Sequence, residues 1–310
     1  MSTAIPAPVS NRLRKQSPRH GERVVTGLLG GAALLSVLVT VGIIVALLLP
    51  ALAFFREVSV TEFLFGTRWA PRFAGRESYG VLPLITGTAW TTFIALLIAV
   101  PFGLGAAVYL SEYAAPRVRQ LLKPVLEVLA GIPSVVYGYF ALTFVAPQIL
   151  NGLLGLEVGT FSVLAAGLVL GIMIIPTVAS LSEDALSAVP SALRQGSLAL
   201  GANKMRTTLR VVFPAAISGI AASVVLALSR AVGETMIVAL AAGTQARVVT
   251  GPTQLGQTMT GFIAQTATGE STPGTLSYNT LYAVGLLLFL ITLCINIVSI
   301  RLVRRFRESY

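Results

Sequence analysis

Residues 24–55 read VVTGLLGGAALLSVLVTVGIIVALLLPALAFF, 32 residues without a charge. A helix crossing roughly 30 Å of hydrocarbon needs about 20 apolar residues, so this run is long enough to span a bilayer. A basic stretch precedes it (Arg12, Arg14, Lys15, Arg19 and Arg23), and Ala51 and Ala53 form an Ala-x-Ala triplet near its end, a pattern that also suits a signal peptide. The apolar region is about twice the usual 7–15 residues of such peptides, which predicts an uncleaved anchor.

The first span lies near 27–50 within this run, and comparable runs lie near 86–110, 128–147, 160–182, 215–242 and 279–300. The expectation is an all-α polytopic membrane protein of six transmembrane helices. Residues are 55% hydrophobic and 11% charged, against roughly 25% charged in a soluble domain. The net charge of +10 lies between the apolar runs, so it carries topology and makes a nucleic-acid partner unnecessary. The N-terminal tail holds five Lys and Arg, the 111–127 loop three, the 183–213 loop four and the C-terminal tail four, against five on the opposite side (Arg56, Arg68, Arg72, Arg76, Arg247). The positive-inside rule then places both termini in the cytoplasm. The expected organisation is a basic cytoplasmic tail (1–23), a first transmembrane helix (24–55), a periplasmic segment (56–83), a five-helix transmembrane domain (84–303) with a cytoplasmic loop at 183–213, and a short cytoplasmic tail (304–310).

Several chemistries lack their parts. The one Cys, Cys294, excludes a disulfide framework, and the one His (His20) and one Asp (Asp184) leave no His cluster or Ser-His-Asp set. No GxxxxGK[ST] phosphate loop and no GxSxG motif occurs. Two external segments stand out: 56–83, aromatic through Phe63, Phe65, Trp69, Phe73 and Tyr79, and 243–278, rich in Gly, Thr, Ser and Gln. Each reads equally as a docking surface for an outside partner, or as an interfacial aromatic belt and a flexible loop. Pro101, Pro133 and Pro176 are expected to interrupt spans, and Gly167 and Gly171 have the GxxxG spacing of close helix packing.

Two features point to function. The run LSRAVGETMIV puts Arg230 and Glu234 inside the fifth span, with Arg230 roughly 22 Å along a helix that starts near Ala215. A charge at the bilayer centre costs about 2.5–3.5 kcal/mol on insertion scales, so something must offset it. At i, i+4 spacing the two side chains share a helix face. Either they neutralise each other, or Arg230 meets a permeating anion in a wet pathway with Glu234 as counter-charge. Arg suits an oxyanion because its planar fork donates two parallel hydrogen bonds. The second feature is the loop EDALSAVPSALRQGSLALGANKMRTTLRVVFP (183–214), whose helix-favouring runs around Pro190 present Leu193, Leu198 and Leu200 as anchors for a partner groove.

In that loop, Gln195-Gly196-Ser197, then Gly201, then Val211-x-Phe213-Pro214 resembles the cytoplasmic loop of binding-protein-dependent ABC permeases, which reads Glu-Ala-Ala, three residues, Gly, nine residues, Ile-x-Leu-Pro. The Gly and Pro match, while Glu is replaced by Gln195 and the two Ala by Gly196 and Ser197. RAVGET resembles the signature of phosphate-specific permeases, and GETMIV is more similar to the PstC-type subunit than to its PstA-type partner. The runs from Tyr79, Glu127 and Gly171 agree in order, and the resemblance covers roughly residues 79–305.

The resemblance implies a type I ABC importer permease fold in the bacterial inner membrane. It implies a second related permease, two ATPase subunits that hold ATP and Mg, a periplasmic phosphate-binding protein, inorganic phosphate as cargo, and surrounding lipid, with no cofactor and no catalysis on this chain. It also implies Arg230, Glu234 and Thr235 in the substrate pathway, and Gln195, Gly196, Ser197, Leu198, Gly201 and Pro214 in an ATPase-coupling loop. An importer of sulfate or molybdate, a passive anion channel around Arg230, and an intramembrane hydrolase are the competing expectations.

Overall fold

A computed structural model describes residues 20–305 except 74, 270, 271 and 273, so the basic residues before His20 and Arg307 lie outside the described residues. The helices run in order as α1 (His20–Glu57), α2 (Val60–Phe65), α3 (Leu82–Val108, continued by a wide π-type turn over Tyr109–Tyr113), α4 (Pro116–Ala130) and α5 (Ser134–Phe140, continued as a π-type helix over Ala141–Leu153). They continue as α6 (Val163–Ser187), α7 (Ser191–Ala199), α8 (Lys204–Thr207, continued by a wide turn over Thr208–Val212), α9 (Phe213–Ala215), α10 (Ile217–Gly233), α11 (Met236–Ala241), α12 (Met259–Thr268) and α13 (Leu276–Arg305). Among the described residues the only strand-type pairing is the bridge between Trp69 and Tyr79.

The chain divides into two compact units, one ending at Ala46 and one beginning at Leu47. In the first, residues 20–46 are helical and expose Leu28, Leu34, Leu38 and Ile43, a surface stable in lipid but not in water. In the second, α6 is the central element. In its most apolar 18-residue window 67% is buried, against 33% in α3 and 17% in α13.

The α3–α6 pair is built on glycine. A Cβ on Gly167 would lie 2.7 Å from Ile94 Cβ, one on Gly171 2.9 Å from the Ala95 carbonyl oxygen, and one on Gly103 2.7 Å from Val178 Cβ. Bilayer helices gain no hydrophobic driving force from one another, so close van der Waals approach holds such a pair. The GxxxG spacing therefore marks a real contact.

Among the described residues, four single helices are long and apolar enough to cross a bilayer, or up to six if each of two bent pairs counts as one span. The third expected span, near 128–147, crosses the break of such a pair: Pro116–Ala130 and Ser134–Leu153 meet at 84°, and most of the expected span falls on the second helix. Pro133, the N-cap of α5, stands at that break because it has no N–H to continue the preceding helix. Pro101 and Pro176, expected to interrupt their spans, instead lie inside continuous α3 and α6. A proline removes one backbone bond, and both helices run on past that loss, with Pro176 buried and Pro101 exposed. The 70° bend between Lys204–Ala215 and Ile217–Gly233 follows Pro214.

The 56–83 and 243–278 segments carry ordered structure among their described residues. Phe63 and Trp69 are buried and stack edge-on in a chain of rings from Phe54 to Phe262, while Phe65 and Phe73 stay exposed. The 243–278 segment is no simple flexible loop, since it carries α12, capped by the Thr258 hydroxyl accepting from Gly261 N–H at 3.0 Å.

Gly167→Ala should lower the unfolding temperature in detergent and cost about 1–3 kcal/mol through overpacking. Gly105→Ala, where a Cβ meets nothing within 4 Å, should be neutral or slightly stabilising. Equal unfolding temperatures for the two variants would contradict the glycine-built contact.

Candidate functional site

The fifth span is discontinuous. Helix α10 ends at Gly233, Glu234 is extended (φ −64°, ψ 134°), and α11 starts at Met236. Arg230 and Glu234 therefore do not share a helix face, and among the described residues they form no ion pair. A Glu234 carboxylate oxygen instead accepts from Met236 N–H at 3.1 Å and Ile237 N–H at 3.3 Å, satisfying amides that the break leaves open. The Glu234 carbonyl accepts the Thr260 hydroxyl of α12 at 2.6 Å. Thr235, between the two helices, donates its hydroxyl to the Gly233 carbonyl at 3.2 Å.

Arg230 sits in the last turn of α10, where a cation complements the negative helix end. Its side chain is exposed, and Nη1 lies 3.4 Å from the Thr177 hydroxyl of α6, a long contact that leaves most of its five donors open. Two buried hydroxyls, Ser182 and Ser223, bond at 2.7 Å between α6 and α10. Arg230, Glu234 and Thr235 thus lie at one break, with an available guanidinium and a carboxylate already engaged by backbone.

The second site is the loop of residues 183–214. Helix α7 carries Gln195, Gly196, Ser197 and Leu198, and none of its residues is fully buried. It ends in a Schellman-type turn: Gly201 N–H bonds the Leu198 carbonyl at 2.9 Å and Ala202 N–H the Ser197 carbonyl at 3.2 Å. Gly201 has φ +83°, a left-handed conformation that costs other residues about 1–2 kcal/mol, so its place in the motif has a backbone cause. The Ser197 hydroxyl meets that of Thr207 at 2.9 Å and ties α7 to α8. Leu198 and Leu200 project outward, with Leu200 91% exposed. Leu193, expected as a third anchor, is half-buried and packs inward near Ala107, Leu186 and Val212. Pro214 is exposed near the bend into α10.

Two ionic clusters escaped the sequence reading. Glu183, 1% exposed, pairs with Arg119 and with Lys123 Nζ at 2.8 Å, and Lys123 also reaches Asp184 at 2.6 Å. Hydrogen bonds to Asp184 and then to Glu183 raise the pKa of Lys123, which lies in the loop outside the expected spans. Arg194 of α7 donates to Glu112 at 2.9 Å and to the Leu186 carbonyl at 2.7 Å. In the sequence these residues are only entries in a charge count, because their partners lie 60 to 82 positions away.

Several helices long and apolar enough to cross a membrane, beside a helix that breaks at a charged and hydroxyl-bearing point, define the class of multi-pass membrane proteins. The chain belongs to the family of binding-protein-dependent transport system inner membrane components, whose model matches residues 99–308. It is 36% identical over 301 residues to the probable ABC transporter permease protein YqgH of Bacillus subtilis, covering 94% of each chain. It is 40% identical over 248 residues to the phosphate transport system permease protein PstC 1 of Mycobacterium tuberculosis (73% of each), and 35% identical to PstC of Haemophilus influenzae (80% of this chain, 82% of that one). The resemblance drawn from RAVGET is borne out by these relatives. Among solved structures, a bacterial alginate ABC transporter in complex with its alginate-bound periplasmic protein contains a chain similar in fold, at TM-score 0.64 and 15% identity, covering 94% of this chain and 99% of that one. A chain of the MetNI methionine ABC transporter matches at TM-score 0.55 and 21% identity, covering 74% and 95%.

Thr260→Val removes the donor to the Glu234 carbonyl and should cost about 1–3 kcal/mol as an unsatisfied buried group. The loss should appear as a lower unfolding temperature in detergent, and an unchanged temperature would mean that another donor serves this carbonyl.

Proposed function

We propose that this chain is one of two related permease subunits of an ATP-driven importer of inorganic phosphate, with six spans and both termini in the cytoplasm of a bacterial cell. The observation that carries the reading is Arg230: it lies in a span, is exposed, and is not neutralised by Glu234, whose carboxylate is held by backbone amides. An oxyanion suits a guanidinium with open donors. The choice of phosphate rests on RAVGET and on what the PstC relatives are called.

In this reading Arg230 and Thr235 line the pathway and Glu234 shapes it. A periplasmic phosphate-binding protein delivers cargo, and a pair of ATPase subunits holds ATP and Mg and docks on Gln195 to Gly201 and Pro214. The chain itself carries out no chemistry and binds no cofactor. Exposed Leu198 and Leu200 supply the apolar part of the docking surface. ATP-driven closure moves α7, and the jointed spans convert that motion into a switch of access from outside to inside.

Labelled phosphate uptake is to be measured in cells lacking their own subunit of this type, at matched membrane levels. This chain should restore uptake, and Arg230→Gln should lower it at least about tenfold. Equal uptake by both would remove Arg230 from the pathway, and failure of the parent with competition by sulfate or molybdate would change the cargo. Gly201→Val should reduce ATPase co-purification and uptake several-fold, and Gly201→Asn less, because Asn tolerates the left-handed region. Unchanged association in Gly201→Val would rule out docking through this turn.

A further inference from the structure

The helix that faces the ATPases must pull on the rest of the chain, yet α7 has no fully buried residue and is short. Its inward apolar contact is Leu193, half-buried against the cluster of Ala107, Leu186 and Val212. Its polar attachments are the Ser197 hydroxyl, which meets that of Thr207 on α8 at 2.9 Å, and the Arg194 guanidinium, which is the one of the two that reaches α3 and α6. Nη2 donates to Glu112 Oε1 at 2.9 Å and to the Leu186 carbonyl at 2.7 Å, Nε donates to Glu112 Oε1 at 3.3 Å, and Nη1 donates to the Val189 carbonyl. Glu112 belongs to the wide turn that continues α3, Leu186 to the last turn of α6, and Val189 to the joint before α7. One planar group thus connects three elements. Two of them, α3 and α6, are the pair locked by Gly103, Gly167 and Gly171.

The surroundings suit a rigid link. The Glu112 side chain is 7% exposed and that of Arg194 23%, so the charge-assisted bonds are shielded from most of the water that weakens surface pairs. The fork geometry also matters. Arginine spreads five donors over three nitrogens in a fixed plane, and here all three nitrogens are used, whereas lysine carries its three donors on a single nitrogen at the end of a flexible stem and cannot reproduce that spread.

We propose that Arg194 is a positioning residue that transmits displacement of the ATPase-facing helix to the α3–α6 pair, with Glu112 as its anionic partner; this rests on the importer reading above. A pull on α7 then reaches the outer and inner halves of the permease through α3 and α6 together, without having to pass through the jointed path from α8 to α10. A link of this kind sets how much transport accompanies each ATP hydrolysed. It leaves the ATPase chemistry itself alone.

The test uses the complete complex in proteoliposomes: this chain, its partner permease, the ATPase pair and the binding protein, with labelled phosphate outside and ATP inside. The readout is phosphate imported per ATP hydrolysed for the parent, Arg194→Gln, Arg194→Lys, Glu112→Gln and the exchange Glu112→Arg with Arg194→Glu. Arg194→Gln and Glu112→Gln should each lower the ratio at least about fivefold while ATP hydrolysis persists. Arg194→Lys should recover little of that loss, and the exchange should recover part of it. A parental ratio in either Gln variant would overturn the link. Failure of both Gln variants to assemble would overturn it as well, because the pair would then be a folding element. If the parent complex imports no phosphate, the importer reading fails; if it does and the Gln variants match it, the link alone fails.

Discussion

A bilayer offers no water to a backbone group that loses its helical partner, and the structure depends on meeting that constraint wherever a span is broken. At Gly233 to Thr235 it is met locally. The Glu234 carboxylate takes the first free amides of α11, and the Thr260 hydroxyl takes the Glu234 carbonyl. The break is therefore a built joint. Its cost is offset by groups from three elements, which places α12 against the fifth span and leaves Arg230 without a carboxylate partner.

The same logic connects the two ends of the molecule. At one end, a chain of edge-on rings through Phe54, Phe63, Trp69 and Phe262 joins the segment after α1 to α12. At the other, ions do comparable work: buried Glu183 holds Arg119 and Lys123 of α4, and Glu112 holds Arg194 of α7. In each cluster the carboxylate is buried and its cations are partly exposed, so removing the cation would leave a buried acceptor without its partner, and the clusters hold elements in register as well as in contact. Between the two ends, α3 and α6 meet through glycines and form a stiff pair. Stiffness there and joints at Pro133, Ala216 and Glu234 are what a part that must move without unfolding requires.

Much of this was legible in residue order. The apolar runs located the membrane-length helices because a span needs a minimum length whatever its neighbours. Gly167 and Gly171 announced a close contact through their spacing, and the Gly201 motif has a local cause in a helix end that needs φ above zero. Leu193 was misread because a loop helix shows its apolar positions without showing which face the body takes. Pro101 and Pro176 lie inside continuous helices because a proline states only that one backbone bond is lost, and the remaining bonds of a long helix can carry it past that point.

By itself the sequence determined the all-helical class, the regions able to cross a bilayer and the family, since length, hydropathy and local motif are properties of adjacent residues. Only the tertiary structure decided that Arg230 and Glu234 part company, that Glu234 serves the backbone, and that Arg194 finds Glu112 across 82 positions. Those outcomes depend on which partners reach a group first in three dimensions, and a desolvated charge or an open carbonyl bonds to whatever the fold brings within hydrogen-bond distance.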